Sequence, residues 1–420
     1  MKKWMWITNR LPFPGTDGRK NMLLQYIRQM KEIDPDCEIV NLSFVDDDKY
    51  LPHQPPEIDR LIRLSPPGML EKLFNVAVYT LLLGRWPLQV SVYYSRRTHR
   101  RIRALIRAEQ PALILYDMVR VAEYSPGKAD AVRKVLNYDD LLSLRYRRQL
   151  DWFRYIPSVL GGFADKLPQG LRRFANVKFV QRWLIAWESR LLARYEVEAA
   201  ARFDHLVFTS PAEAKSFRLL TRHASCHGIP MQFNSDSRLI GMPRRYDRNK
   251  IVFVGKMDIP HNSSAVLYFC ERVWPIVKRQ APEAAFHIIG KNPTAEVRRL
   301  QQTQPGVVVT GEVEDVRRIA GDSALMIAPL LFGTGIKTKI VEAMSWGLPV
   351  VTSPVGSEGI GANHGEELYV CRSDEEMAGC VLTLLRDAET NERMSRNALR
   401  YVDRHFGAAA SLRSLARILS

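Results

Sequence analysis

Short apolar runs alternate with amphipathic stretches through both halves of the chain. Between the apolar runs lie segments with helical periodicity, for example Asn21–Lys31 and Arg96–Glu109. In the first half the runs of strand length are Trp4–Thr8, Glu38–Phe44, Ala112–Tyr116, Lys134–Leu136 and His205–Phe208. Such an alternation is typical of parallel sheets in layered α/β domains.

The pattern also predicts where the chain divides. A length of 420 residues favours two domains. Between residues 224 and 249 the chain is rich in Gly, Pro, Ser, Asn and Arg and has no sustained hydrophobic periodicity. A new apolar run begins at Ile251. We therefore expect a first domain over 1–225, a linker over 226–250, a second domain over 251–395 and a C-terminal helix over 396–420.

The stretch Ala328–Val351 carries the most information. It predicts a buried strand, a turn containing Gly333 and Gly335, a helix that starts near Ile336, and a second buried strand. A helix that opens on a glycine turn points its free amide groups at a bound anion. Polar groups at the carboxyl ends of parallel strands are where α/β sheets bind ligands. The pattern indicates a nucleotide-sugar site.

The same stretch, Gly-Thr-Gly-Ile-Lys-Thr-Lys-Ile-Val-Glu-Ala-Met followed by Gly-Leu-Pro-Val-Val, resembles the donor signature of family-4-type retaining glycosyltransferases with the GT-B fold. Supporting segments follow in the family's order at 251–262, 286–293, 307–315 and 353–360, so the resemblance covers roughly 250–415. It implies two Rossmann-like, doubly wound parallel-sheet domains that face each other across a cleft, with the final helix crossing back onto the first domain.

The resemblance also implies an activity. The expected reaction moves a sugar from a nucleotide-sugar donor to a glycan acceptor, with retention of configuration and without a metal or another cofactor. The acceptor is expected to be lipid-linked, in the biosynthesis of a cell-surface polysaccharide.

By this resemblance, the diphosphate of the donor is held by glycine-exposed amides and basic side chains. Lys256 follows Gly255 at a strand end and is expected to face the diphosphate, whereas the family's second basic position holds Asn262. Lys337 and Lys339 point about 200° apart on a helix, so only one faces the ligand; Lys339 shares the face of Glu342 and is favoured.

Glu342 matches the second glutamate of the family's paired-glutamate pattern, which binds the ribose. The first glutamate is replaced by Thr334, so sugar hydroxyls would depend on its hydroxyl and on the neighbouring amides. The donor residues predicted in this way are Gly255, Lys256, Gly290, Thr334, Gly335, Ile336, Lys337, Lys339, Glu342 and Glu358.

The acceptor side is expected in the first domain. Gly15, Asp17 and Gly18 lie in the loop after the first strand, and Asp117 closes the strand Ala112–Tyr116. Asp139 and Asp140, followed by Ser143 and Arg145, resemble a segment on the cleft side of related enzymes. Neighbouring residues of a strand point to opposite faces, so these two aspartates do not flank one glycosidic bond. The residues predicted to act in catalysis are Asp117, Asp140 and Lys256.

Charge distinguishes the two halves of the chain. Residues 1–250 hold 42 Lys and Arg against 26 Asp and Glu, whereas residues 251–420 hold 19 of each, so the net charge of +16 belongs to the first part. This suggests that the first part meets an anionic partner. The segment Leu73–Leu83 is apolar and is followed by the arginines of 96–101. One interpretation places both on a membrane interface. The other makes the first an ordinary core helix and the second a solvated basic helix.

Cysteine usage and the N-terminus bear on location. The five cysteines lack zinc-ligand or redox-motif spacing, which suggests reduced thiols. The apolar run at Trp4–Ile7 is too short for a signal peptide and favours a first strand. The expected location is cytoplasmic, with peripheral contact at the inner face of the cell membrane.

Two other functions remain open from the sequence. A sugar-nucleotide epimerase with the GT-B fold would act on the donor without an acceptor. A basic nucleic-acid-binding protein would use the cationic half, although no RNA- or DNA-reading motif is present, so no nucleic acid is expected as a partner.

Overall fold

A computed structural model describes residues 2–15, 18–45, 47–126, 132–156, 177–235, 242 and 244–419. The chain divides into two compact units that are not contiguous in sequence. The first unit comprises residues 1–143, 187–232 and 408–420, and the second comprises residues 144–186 and 233–407.

The first unit is built on a seven-stranded parallel sheet with the order β3-β2-β1-β4-β5-β6-β7. Its strands are β1 (Lys3–Thr8), β2 (Glu38–Phe44), β3 (Arg60–Leu64), β4 (Leu113–Asp117), β5 (Arg133–Asp139), β6 (His205–Phe208) and β7 (Cys226–Gly228). The order reverses next to β1, so the carboxyl ends of β1 and β4 meet at a switch point of the kind where such sheets bind ligands.

The α-helices of the first part of the chain follow the strands in βαβ order. They are α1 (Gly18–Ile33), α2 (Met69–Asn75, continued by a π-helical turn Val76–Leu82), α3 (Leu88–Ser91), α4 (Arg96–Glu109), α5 (Leu142–Asp151), α6 (Lys178–Ala200) and α7 (Pro211–Thr221). Short 3-10 helices lie at Asp48–His53, Val119–Tyr124 and Phe153–Tyr155. Helix α5 begins in the first unit and continues into the second, whereas α6 does the reverse.

The second unit is built on a six-stranded parallel sheet with the order β10-β9-β8-β11-β12-β13. Its strands are β8 (Asp247–Val254), β9 (Ala285–Ile289), β10 (Val307–Gly311), β11 (Ser323–Ala328), β12 (Val350–Thr352) and β13 (Tyr369–Val370). Residues of β8, β9 and β11, among them Phe253, Phe286 and Ile327, are fully buried in one core.

Helices cover both faces of this second sheet. They are α8 (Pro260–Tyr268, continued by a π-helical turn Phe269–Val273), α9 (Trp274–Gln280), α10 (Ala295–Thr303), α11 (Val316–Gly321), α12 (Thr338–Ser345), α13 (Pro354–Ser357), α14 (Asp374–Arg386) and α15 (Ala388–Phe406). The last helix, α16 (Ala408–Leu419), belongs to the first unit. It packs on α1, where Gln25 Nε2 donates to Ser411 Oγ at 2.8 Å, and it places Leu415 and Ile418 in the core of that unit.

The predicted α/β class with two parallel sheets is confirmed. Several element boundaries differ from the prediction. Strand β8 begins at Asp247 rather than Ile251, and α12 begins at Thr338 rather than near Ile336. The tail from Asn391 is two helices instead of one, because the chain is extended at Gly407, where an added Cβ would lie 2.4 Å from the Asp403 carbonyl oxygen. Residues 226–228, expected in the linker, form β7.

Candidate functional site

A glycine turn at residues 333–335 connects β11 with α12. Gly335 has a φ of +66°, a backbone conformation that favours glycine. The Lys337 side chain is buried beneath the turn, and its Nζ donates to the carbonyl oxygens of Thr334 at 3.2 Å and Gly335 at 2.7 Å. Lys337 therefore closes the turn and places a positive charge under it. The Ile336 side chain is buried as well.

Lys339 lies one position into α12 and reaches across to the loop that follows β8. Its Nζ donates to Asn262 Oδ1 and lies so close to Gly255 that a Cβ there would be 2.7 Å away. Burial lowers the pKa of Lys339 to about 7; Glu342 opposes this shift and Lys337 adds to it. Asn262 of α8 thus positions a lysine from another helix.

The loops after β8 and β9 pack backbone against backbone at Gly255 and Gly290. A Cβ at Gly290 would lie 1.8 Å from the Gly255 carbonyl oxygen, and its φ is +154°. Gly290 is therefore required for packing beneath the site. The Lys256 side chain is half exposed and its Nζ lies 3.3 Å from Asp258 Oδ2, so its predicted contact with a diphosphate stays a prediction.

Two arginines of α5 contact the glycine turn within the second unit. Arg145 Nε donates to Thr334 Oγ1 at 3.2 Å. Arg148 donates to the Gly333 carbonyl oxygen at 2.8 Å and pairs through both terminal nitrogens with Glu358. Burial acts to raise the pKa of Glu358, but the hydrogen bonds and charge of Arg148 outweigh it and hold that pKa below its usual range.

An aromatic cluster fixes the segment that follows α5 against the end of β11. Tyr155 and Ile156 are buried together with Leu331 and Phe332, and the Tyr155 and Tyr268 ring centroids lie 5.5 Å apart. This packing explains why the arginines of α5 reach the turn. From the sequence, Arg145 was expected on the acceptor side and Arg148 was not expected at the site. The local signal for both is their three-residue spacing, which puts them on one face of a helix.

The charges around the turn are mostly positive. Arg145, Arg148, Lys337 and Lys339 lie in or beside it. Burial, together with the charges of Lys339, Arg145 and Lys337, lowers the pKa of His261 well below its usual value, so that this imidazole is neutral. Glu342 lies on α12 with an exposed side chain that makes no hydrogen bond or ion pair within the described part of the chain. A glycine turn surrounded by cations is suited to a diphosphate.

Two aspartates considered for the acceptor side, Asp117 and Asp139, form an ion triad with Arg19 in the first unit. Arg19 Nη2 donates to Asp117 Oδ1 at 2.6 Å, and Arg19 Nη1 donates to Asp139. Asn137 Nδ2 donates to the same Asp117 oxygen at 3.1 Å. Burial disfavours the charge of Arg19, but the two carboxylates outweigh this and hold its pKa above the usual range. Asp117 is fully buried, and the structure gives it the position of a counter-ion.

Asp140 is buried at the end of the same strand, near a second buried acid that the sequence analysis missed. Glu196 of α6 accepts hydrogen bonds from the Ser143 amide at 3.1 Å and from the Ser143 hydroxyl. Burial raises the pKa of Glu196 to about 7, and the charge of Asp140 adds to the shift against the hydrogen bonds from Ser143. No motif marks Glu196, because its partners are more than fifty residues away.

The loop after β1 is described only in part. A Cβ on Gly15 would lie 2.2 Å from Asn21 Oδ1, so this glycine permits a close approach to α1. Gly18 is the first residue of α1, and Asp17 lies outside the described residues. In the described part of the chain, no cluster of three or more His, Cys, Asp or Glu has a metal-binding arrangement.

Comparison with known proteins identifies the second unit. Residues 248–387 match the family model described as glycosyl transferases group 1. The second unit carries a glycosyl transferases group 1 domain. The matched stretch contains the glycine turn and all of α12, together with the loops after β8 and β9.

Similar proteins show which fold the whole chain has. An uncharacterized 44.6 kDa protein in the cps region of Klebsiella pneumoniae is 25% identical over 176 residues, which are 39% of this chain and 45% of that protein. Anabaena HepE in complex with UDP-glucose is 14% identical, with a TM-score of 0.60, over 99% of both chains. WaaG, described as a glycosyltransferase involved in lipopolysaccharide biosynthesis, is 11% identical with a TM-score of 0.59 over 99% of both chains. The chain has the GT-B fold.

Proposed function

We propose that this protein is a glycosyltransferase that moves a sugar from a nucleotide-sugar donor to a glycan acceptor. The observation that carries the proposal is the cationic glycine turn, where Lys337, Lys339 and Arg145 converge inside a glycosyl transferases group 1 domain. The likeness to HepE, solved with UDP-glucose, supports a nucleotide sugar as the ligand of this turn.

The geometry suits departure of a diphosphate. When the sugar leaves, negative charge develops on the phosphate, and cations and amides already aimed at that place stabilise it without reorganising. We propose that Lys339 contacts the diphosphate, that Glu342 accepts hydrogen bonds from the ribose, and that Thr334, held by Arg145, serves a sugar hydroxyl. The transfer proposed is metal-independent and retaining, as the family resemblance implies.

The acceptor belongs to the proposal as well. We propose a lipid-linked glycan of a cell-surface polysaccharide, supported by the description of WaaG and by the location of the Klebsiella relative in a cps region. Asp140, buried beside Glu196 in the first unit, is proposed to orient that acceptor. Lys256 remains the second candidate for contact with the diphosphate.

Thermal unfolding in the presence of UDP, GDP, ADP, CMP, NAD and a short oligonucleotide tests the function. A ligand at about a hundred times its dissociation constant adds roughly 2.7 kcal/mol to the free energy of unfolding. We expect one nucleoside diphosphate to raise the unfolding temperature. The Lys339→Met variant should lose this shift, whereas Lys291→Met, a half-exposed lysine of the same unit, should keep it. A shift with the oligonucleotide alone would contradict the proposal.

A further inference from the structure

A helical segment of the first unit has its apolar side chains turned outward. Helix α2 and the π-helical turn after it expose large hydrophobic residues along 69–83; Leu70 and Leu82 leave 83% and 78% of their surfaces exposed. The exposed set comprises Met69, Leu70, Leu73, Phe74, Leu81, Leu82 and Leu83. We call these seven residues the apolar face. Four of them, at positions 70, 73, 74 and 81, follow helical spacing and form one stripe.

Polar side chains of the same segment face the protein. Asn75 and Thr80 are buried, and Asn75 Nδ2 donates to the carbonyl oxygens of Ser91 at 3.1 Å and Tyr94 at 2.8 Å. The Thr80 and Ser91 hydroxyl oxygens lie 2.6 Å apart in a hydrogen bond. Turning the helix over would bury leucines but leave these partners unsatisfied, so the hydrogen bonds fix the outward direction of the apolar face.

A strongly basic helix adjoins the apolar face. Helix α4 carries six arginines and a single acidic residue, Glu109, which is already paired with Lys3 and Arg60. Arg96, at the start of α4, donates to the Tyr79 hydroxyl at 2.9 Å, and its guanidinium lies 5.7 Å from the Phe74 ring centroid. The cationic surface therefore begins at the edge of the apolar face.

We infer that the apolar face and α4 together dock the first unit on the surface of an anionic phospholipid bilayer. An outward apolar stripe next to a row of arginines matches the boundary between acyl chains and anionic headgroups, where apolar side chains insert and arginines meet phosphates. A bilayer is favoured over a protein partner because it supplies both environments at once. Among the described helices, none is long and apolar enough to cross a membrane. The inference does not depend on the identity of the donor.

Vesicle flotation tests this surface with the full chain. We expect the wild type to float with vesicles of phosphatidylcholine mixed with phosphatidylglycerol, and weakly with phosphatidylcholine alone. The Leu73→Glu/Leu82→Glu variant should lower the partition coefficient at least about tenfold, since it removes two inserted side chains. The Arg97→Glu/Arg100→Glu variant should lose the preference for anionic vesicles.

The chain offers a matched control on α7. Leu219 and Leu220 are exposed to a similar degree, 73% and 68%, but lie outside the apolar face. The Leu219→Glu/Leu220→Glu variant should bind vesicles as the wild type does, and circular dichroism together with the nucleotide-induced shift would show that each variant is folded. Equal vesicle binding by all variants would overturn the inference. So would a wild type that ignores vesicles but self-associates through the apolar face.

Discussion

At the scale of single residues, Lys339 is the side chain whose chemistry depends most on its surroundings. Its partner is a neutral amide, Asn262, and its Nζ lies close to the Gly255 backbone. With a pKa of about 7, the lysine is only partly protonated at neutral pH. The positive charge that a diphosphate requires is therefore present below this pKa and lost above it.

Affinity for the nucleotide sugar should therefore fall as the pH rises from about 6 to about 8. A nucleotide sugar is the right probe because its diphosphate does not titrate in this range. The Lys339→Arg variant, which stays charged throughout, should show a flatter profile by isothermal titration calorimetry. An equal slope in both proteins would show that Lys339 is not the titrating group.

Glu196 gives a second prediction, for stability. Its pKa of about 7 in the folded protein lies above the value near 4.3 of an unfolded chain, so the folded state binds the proton more tightly. The stability supplied by that proton is present below about pH 4 and is lost as the pH rises through 7. Glu196→Gln should thus raise the unfolding temperature at pH 8 by about 2–4 °C and change it little near pH 5. A gain of the same size at both pH values would contradict the assignment.

Arg19 should be essential for folding of the first unit. Removing it leaves the fully buried Asp117 without its charged partner, a loss of about 3–5 kcal/mol in similar buried pairs. Urea unfolding should show this loss for Arg19→Met. Arg28, on the same helix but exposed and 3.3 Å from Glu57, is the control, and Arg28→Met should cost below about 1 kcal/mol. Similar losses in both variants would rule out the special role of the triad.

At the scale of elements, local patterns were predicted and distant contacts were not. The strand, glycine turn and helix around residue 335 are encoded by neighbouring residues, so the prediction needed only a two-residue correction at the start of α12. The contact of Arg148 with Glu358 joins residues 210 positions apart, and no local spacing reveals it. The helix at 69–82 was recognised as apolar, but hydropathy alone does not tell which face turns outward; the buried bonds of Asn75 and Thr80 decide that.

The close approach of the loops after β8 and β9 gives a prediction at this scale. Gly290→Ala places a Cβ against the Gly255 backbone, so the loops must separate, at a cost of about 3 kcal/mol and with loss of nucleotide binding. Gly311→Ala is the control, because its φ is +71° but a Cβ there would meet no atom within 4 Å. That variant should cost about 1 kcal/mol and keep nucleotide binding. Chemical unfolding and calorimetry would distinguish the two, and equal effects would refute the packing argument.

At the scale of the whole molecule, the alternation of apolar and amphipathic stretches predicted the class of fold, whereas the division of the chain follows from its packing. The first unit draws on three separate stretches of sequence, and the last of them is the C-terminal helix that the family resemblance assigns to the first domain. The reason is physical: a unit is defined by which residues bury each other, and α16 buries Leu415 and Ile418 among residues of α1 and β1 nearly four hundred positions earlier.

The place of α16 has a consequence for synthesis of the protein. On the ribosome the chain emerges from its N-terminus, so the strands of the first sheet appear long before the helix that covers part of their core. The second unit is translated in full before α16 exists, and it can fold while the first is still incomplete. The unit whose synthesis begins first is thus completed last. Until α16 is made, the leucines around α1 in the core of this unit remain accessible to chaperones.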